Sequence, residues 1–425
     1  MQPDRCPGVL AVHEAADGGL ARVRLPGGVL SASQLRVLAE AAVELGDGHL
    51  ELTSRANVQI RALRAGAPVE LSERLYAAGL LPSISHERVR NILASPLSGL
   101  DRYSLYDVLP VAGEVDRLLC GRAGLAELPG RFLFALDDGR GDLASAKADV
   151  GLRMVDGERG ELVLAGVGTG VLVGVERAAE VMVAAAEAFL VERAEQESQA
   201  WRVKELADGP LRILARLELE EQPTTRPDKA VECGPAVAGR VEERPGWGGA
   251  GGSGLALAGR FEGLGGAEVL VVAVPLGVLD AEQAAALAEF AEQADARPGQ
   301  RPVLRVTPSR SVVVAGVVGA EGAVRRLKAV GLVLEPSSSW NGVTSCAGRP
   351  GCAKALADVR ADARRVVPGW STRSTGRVVH WSGCERRCGR PGGEFVDVVA
   401  LAGGGYSVDG IAMTVNEVGN EVRAQ

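Results

Sequence analysis

VRLPGGVLSASQLRVLAE, residues 23–40, and VAVPLGVLDAEQAAALAE, residues 272–289, are two versions of one pattern. Each reads as a strand, a Pro/Gly turn and a helix. The helices open near Ser31 and Asp280, short polar residues suited to accept from the first unpaired amides. A second strand is predicted after each helix, Leu50 to Leu63 in the first copy and Val303 to Gly316 in the second. Downstream, Asn91 and Ser95 of RNILASPLSG fall opposite Asn341 and Ser345 of WNGVTSCAGR, which puts Cys346 opposite Pro96. GRFLFALDD (130–138) then parallels GRVVHWSGC (376–384). Four matches in one order predict a duplication. Each half is a small α/β unit followed by a larger α+β unit, over 1–70 and 71–221, then 255–320 and 321–425. A flexible linker is expected over 222–254, ending in GWGGAGGSG. Pseudo-twofold packing would make the Arg90–Asn91 loop and the first cysteine loop symmetry mates.

The 425 residues are 46% hydrophobic and 24% charged, ordinary for a soluble globular chain. MQPDRCPGVL has no signal-like apolar run, and Leu162 to Val175 is too short and glycine-rich to span a bilayer. A cytoplasmic protein without membrane contact is expected. A net charge of −7 argues against a general nucleic-acid binder. Only five of the 47 cationic residues are lysines. A GC-rich genome produces such a bias, and arginine also grips planar carboxylates bidentately.

Seven cysteines in a large chain do not read as a disulfide framework. Cys6, Cys120 and Cys233 are scattered and read as incidental thiols. The other four lie in SCAGRPGC (345–352) and SGCERRC (382–388), as C-x5-C and C-x3-C. Zinc sites prefer tighter knuckles than C-x5-C, whereas an iron–sulfur cluster needs thiolates further apart and takes them from separate loops. Spacing thus favours a cluster while leaving zinc and unrelated buried thiols open. Gly348, Pro350, Gly351 and Gly383 would let backbone amides approach the sulfurs. AKALADVRADARRV, directly after Cys352, is predicted to be a helix whose positive end favours thiolates.

ELTSRANVQIRA (51–62) alternates strictly. Glu51, Thr53, Arg55, Asn57, Gln59 and Arg61 form one face of a predicted strand, and Leu52, Val58 and Ile60 lie on the other. This reads either as a solvated strand surface or as a donor array for an anionic ligand, with Arg88, Arg90 and Arg131 able to add guanidinium groups. His380 reads first as a packed strand histidine, with ligand or proton donor as the alternative. His13, His49 and His86 carry no spacing signal.

LTSRANVQIRAL, RNILASPLSG, SCAGRPGC and HWSGCERRC, in this order, resemble the nitrite/sulfite reductase superfamily. The resemblance implies an α+β fold in which two ferredoxin-like half-domains form one lobe and two larger α+β domains sandwich a cofactor. It implies a [4Fe–4S] cluster on Cys346, Cys352, Cys384 and Cys388. Arg55 and Arg90 match siroheme-contacting arginines; Arg131 stands at the first of two family lysine positions, and Leu133 at the second. Within the superfamily, RCPGVL, DGGLARVRLPGG and VVHWSGCERRCGRPGG are most similar to the branch serving aerobic cobalamin biosynthesis. That branch implies O2-dependent hydroxylation of precorrin-3A with lactone closure, and Arg55, Asn57, Gln59, Arg61, Arg90, Asn91 and Arg131 as the tetrapyrrole cradle. O2 activation by the cluster, by an additional iron or by the macrocycle itself is compatible with it. No GxGxxG stands on a strand-to-helix turn with an acidic partner, so electrons are expected from an external reductase or ferredoxin. The alternative within the superfamily is a siroheme-dependent sulfite or nitrite reductase, which the loss of a cation at Leu133 weakens.

Overall fold

The computed structural model describes residues 6–217, 258–266, 268–293, 303–317, 321–370, 378–391 and 394–424; the expected linker at 222–254 lies outside them. The first half builds an antiparallel sheet ordered His13–Ala15, Gly18–Val23, Val58–Leu63, His49–Leu52. Its last neighbour, Val278–Asp280, comes from the second half, with Leu279 opposite Leu50. The second half repeats this as Gly259–Glu262, Glu268–Ala273, Ser311–Val317 and Val303–Val306, and is completed by Val29–Leu30 from the first half.

The Pro/Gly turns make this exchange possible. After Pro26 the chain crosses with Gly27 and Gly28 at φ 64 and 74, where L-residues are strained. A Cβ on Gly28 would stand 2.1 Å from the Val306 carbonyl oxygen, so only glycine admits the crossing strand. Each turn leads into a helix, Ala32–Leu45 or Ala281–Gln293. Ser31 and Asp280 cap them reciprocally with Gln34 and Gln283, satisfying amides that the helix itself leaves unpaired. Leu35, Leu38 and Ala42 share one core with Leu270, Leu287, Leu304 and Val314. The two half-units therefore bury a common interior, where each fully covered aliphatic side chain contributes roughly 1.5–3 kcal/mol.

Two further sheets repeat one topology. Ile92–Ala94, Phe134–Asp137 and Val150–Met154 are parallel, followed antiparallel by Arg159–Leu164 and Val167–Gly174. Val343–Ser345, Val378–Ser382 and Phe395–Ala400 are likewise parallel, followed by Tyr406–Val408 and Ile411–Met413. Helices Val175–Glu195 and Val415–Ala424 close the respective copies. Among the described residues no helix is long and apolar enough to cross a membrane.

Three local expectations need correction. Leu50 to Leu63 is not one strand but a hairpin, His49–Leu52 and Val58–Leu63, with Glu51 paired to Gln59. Thr53 turns the chain: its amide donates to the Asn57 carbonyl, and its hydroxyl accepts from the Asn57 amide. Val303 to Gly316 is a hairpin too, turned at Thr307 by the corresponding bonds from Ser311. The helix expected directly after Cys352 begins at Val359, capped by Asp358, because the intervening backbone bonds elsewhere. The amides of Ala355 and Leu356 donate to the carbonyls of Cys352 and Gly383.

Candidate functional site

Both cysteine loops leave the same edge of one sheet. Val343–Ser345 and Val378–Ser382 are adjacent parallel strands, with Ser345 opposite Trp381, so the loops that follow them emerge side by side. The Gly383 amide donates to Cys346 Sγ at 3.1 Å, and the Cys346 amide to the Trp381 carbonyl at 2.9 Å. A Cβ on Gly383 would stand 2.7 Å from that of Ala355, so a side chain there would push the two loops apart. Cys346, Cys352 and Cys384 are half-buried, Cys388 is exposed, and all four are free thiols. Burial pushes the Cys346 thiol up, against the amide of Gly383. Buried polar atoms without a partner gather around these loops: Ser345 Oγ, Ser382 Oγ, Arg310 Nη1 and Arg360 Nε. Four thiols from two loops, an amide already aimed at sulfur, and spare buried donors fit an anionic metal–thiolate group.

His380 lies within the strand, fully buried. Its Nε2 faces the Cys388 carbonyl at 3.2 Å, so it donates there, and Nδ1 accepts from Thr344 Oγ1 at 2.9 Å. Burial first, then the charge of Arg310, holds its pKa down at about 3. A neutral imidazole with both nitrogens bonded is the packed reading, and it steadies the fourth cysteine through its carbonyl.

The first hairpin reaches the cysteine loops through Arg61 and Glu51. Arg61 Nη2 donates to the Gly351 carbonyl, beside Cys352, at 2.6 Å; the same guanidinium is held bidentately by Asp17 at 3.0 Å. Glu51 takes Arg360 from the helix beyond the loop at 2.5 Å and accepts from Gln59 Nε2 at 3.1 Å. Gln59 Oε1 in turn accepts from Arg22 Nε at 2.8 Å. Gln59, with one acceptor and one donor end, thus joins Arg22 to the carboxylate that supports the cysteine loop.

Arg22 opens an arginine face. Arg24 is 2% exposed with Nε unpartnered, and among the described residues neither it, Arg22 nor Arg55 forms an ion pair. Burial first, then Arg22, holds Arg24 down at about 9; burial first, then Arg202 and Arg22, holds Arg55 down at about 10. Buried cations that repel one another are costly unless an anion joins them. Arg55 donates weakly to the carbonyls of Gly130 and Arg131, at 3.5 and 3.2 Å, and Arg131 is exposed over the Trp201 ring. Arg22 and Arg24 were not among the residues expected from sequence. Their signal was parity, since alternating arginines in ARVRL share the strand face that meets Gln59.

The other expected cradle residues have internal partners. Arg90 is 4% exposed and bidentate to Asp116 at 2.7 Å, with Nη1 on the Leu80 carbonyl. Asn91 donates to the carbonyls of Gly130 and Arg88, and Asn57 Oδ1 accepts from the Leu25 amide. These three, with Arg61, shape the walls around the arginine face, which consists of Arg22, Arg24 and Arg55 with Gln59 and Arg131 at its margin.

Comparison with known proteins agrees with this architecture. The nitrite/sulfite reductase ferredoxin-like half domain matches residues 13–78. The structure of Mycobacterium tuberculosis NirA shares the fold, with a TM-score of 0.70 over 95% of this chain and 79% of that one, at 20% identity. The chain thus contains a nitrite/sulfite reductase ferredoxin-like half domain within a fold shared with NirA. Along nearly its whole length it is similar to a precorrin-3B synthase of Sinorhizobium, 28% identical over 421 residues, covering 97% of this chain and 84% of that protein. The ferredoxin–nitrite reductase of Synechococcus elongatus is 37% identical over 127 residues, but that match spans only 25% of the reductase.

Proposed function

We propose that this chain is an oxidoreductase of cobalamin biosynthesis that converts precorrin-3A to precorrin-3B in the manner of the Sinorhizobium relative. One atom of O2 enters the macrocycle at a meso carbon and the other leaves as water, with two electrons and two protons from outside. Closure of an acetate side chain to a lactone adds no further atoms. The observation that carries this reading is a face of three arginines without carboxylate partners, Arg24 buried and Arg22 and Arg55 half-buried, linked through Gln59 and Glu51 to the cysteine loops.

Arg22, Arg24 and Arg55 bind peripheral carboxylates of the tetrapyrrole and thereby fix which edge of the macrocycle faces the reacting oxygen. Gln59 keeps Arg22 oriented, while Arg90, Asn57 and Asn91 hold the walls. Cys346, Cys352, Cys384 and Cys388 are the ligands of a [4Fe–4S] cluster, which supplies electrons one at a time. The donor is an external reductase or ferredoxin-like protein.

Turnover of precorrin-3A under 18O2 with an electron donor tests the proposal. A product heavier than substrate by one labelled oxygen atom supports it. Absence of label, together with sulfite or nitrite reduction by protein purified with siroheme, would favour the reductase alternative.

A further inference from the structure

Arg310 takes a backbone conformation that L-residues avoid and lies beside the cysteine loops, although nothing in the cysteine motifs points to it. It occupies the fourth position of the Thr307–Ser311 turn at φ 59. Its amide donates to the Thr307 carbonyl at 2.9 Å. In the first hairpin the same position of the same turn is Ala56, at φ 53 and bonded to Thr53 in the same way. The turn therefore imposes the left-handed backbone in both halves, and what differs is the side chain it carries, a methyl group in one and a long guanidinium in the other. The stem of Arg310 packs on Gly277, where a Cβ would come within 2.6 Å of Arg310 Cδ.

Arg310 as a whole is 9% exposed. Nη2 donates to the Gly389 carbonyl, next to Cys388, at 3.0 Å, and Nη1 is buried without a partner. The titratable groups around it are Arg360, Glu51, the Cys346 thiol and the neutral His380. Glu51 is already engaged by Arg360 and Gln59, so it does not neutralise Arg310 by direct contact. Burial and Arg360 lower the pKa of Arg310 to about 10, which leaves it charged at neutral pH.

We propose that Arg310 is a positioning residue for the four-cysteine site, fixing the Gly389 carbonyl that ends the Cys384–Cys388 loop and placing a permanent positive charge beside the bound cluster. The inference rests on the cluster reading above. When the cluster accepts one electron its net charge falls by one unit, with no bond made or broken. A nearby cation stabilises that reduced form, so the reduction potential is higher with Arg310 than without it.

The test uses the full chain with Arg310→Gln and Arg310→Lys, purified without oxygen, and redox titration followed by electron paramagnetic resonance. Arg310→Gln is expected to titrate at a lower potential than the wild type, and Arg310→Lys close to it. A wild-type potential in Arg310→Gln overturns the proposal. If the Gln variant does not fold, Arg310→Lys decides. An altered line shape and faster iron loss to a chelator then support the hold on Gly389, and no change in either overturns it. Wild-type protein lacking iron and sulfide overturns the cluster reading itself, a result distinct from a cluster whose potential ignores residue 310.

Discussion

At the ends of the parallel strands the two halves of the molecule make the same backbone bond to different acceptors. In the second half the Gly383 amide donates to Cys346 Sγ at 3.1 Å; in the first, the Asp138 amide donates to Ser95 Oγ at 3.1 Å. The preceding bonds agree, Cys346 to the Trp381 carbonyl and Ser95 to the Leu136 carbonyl. Ser95, rather than Pro96, is therefore the mate of Cys346. Around Ser95 the space is filled by charge that closes on itself. Ser95 donates to Asp142, while Arg140, its side chain fully buried, joins Asp138 and Asp101 at 2.7 and 3.0 Å. Asp137, Asp138 and Asp142 lie close together, and of the three Asp138 is paired with the Arg140 guanidinium. One scaffold thus carries two outcomes, an open thiol set with spare donors and a self-satisfied carboxylate–guanidinium network.

The comparison breaks if the thiol side proves dispensable. Cys384→Ser is expected to lose iron, sulfide and activity together, while unfolding near wild type; full activity would remove Cys384 from the site. On the opposite side, Arg140→Leu leaves buried carboxylates unpaired. Denaturant unfolding should show a loss of about 3–5 kcal/mol, with iron per folded chain unchanged. Arg55→Ala should weaken binding of precorrin-3A by about ten- to a hundredfold, since a hydrogen bond to a charged group contributes ~1.5–3 kcal/mol, again without loss of iron. Equal loss of both would make Arg55 structural.

The smallest effect concerns pH. Burial first, then the charge of Asp137, pushes Asp142 up to about 8. An unfolded aspartate titrates near 4, so between about 4 and 8 the folded state holds more protons than the unfolded one. This group's contribution is fully present below about 4 and is lost as pH rises through 8. Melting temperature should fall by several degrees across that window, less so in Asp142→Asn. An identical slope in the variant would assign the pH dependence elsewhere.

The duplication was readable from sequence because the strand, turn and capped helix each carry a local signal, repeated in both halves. The hairpins were not. Glu51 and Gln59 are cross-strand partners separated by an even number of residues, so the polar alternation passes through the turn at Thr53 without changing face. The same alternation cannot distinguish an arginine offered to a ligand from one neutralised internally. Arg90 meets Asp116 on a helix 26 residues away, and no pattern near RVRN announces it. Arg310 was hidden for a related reason: its role depends on a left-handed turn and on Gly389, 79 residues further on.

Iron, acid-labile sulfide and the absorption spectrum of protein purified without oxygen test the division between the two halves most directly. Iron and sulfide are expected in the ratio of one [4Fe–4S] cluster per chain, with a broad cluster band and without the Soret peak of siroheme. Zinc without sulfide, or a siroheme spectrum, would contradict this expectation.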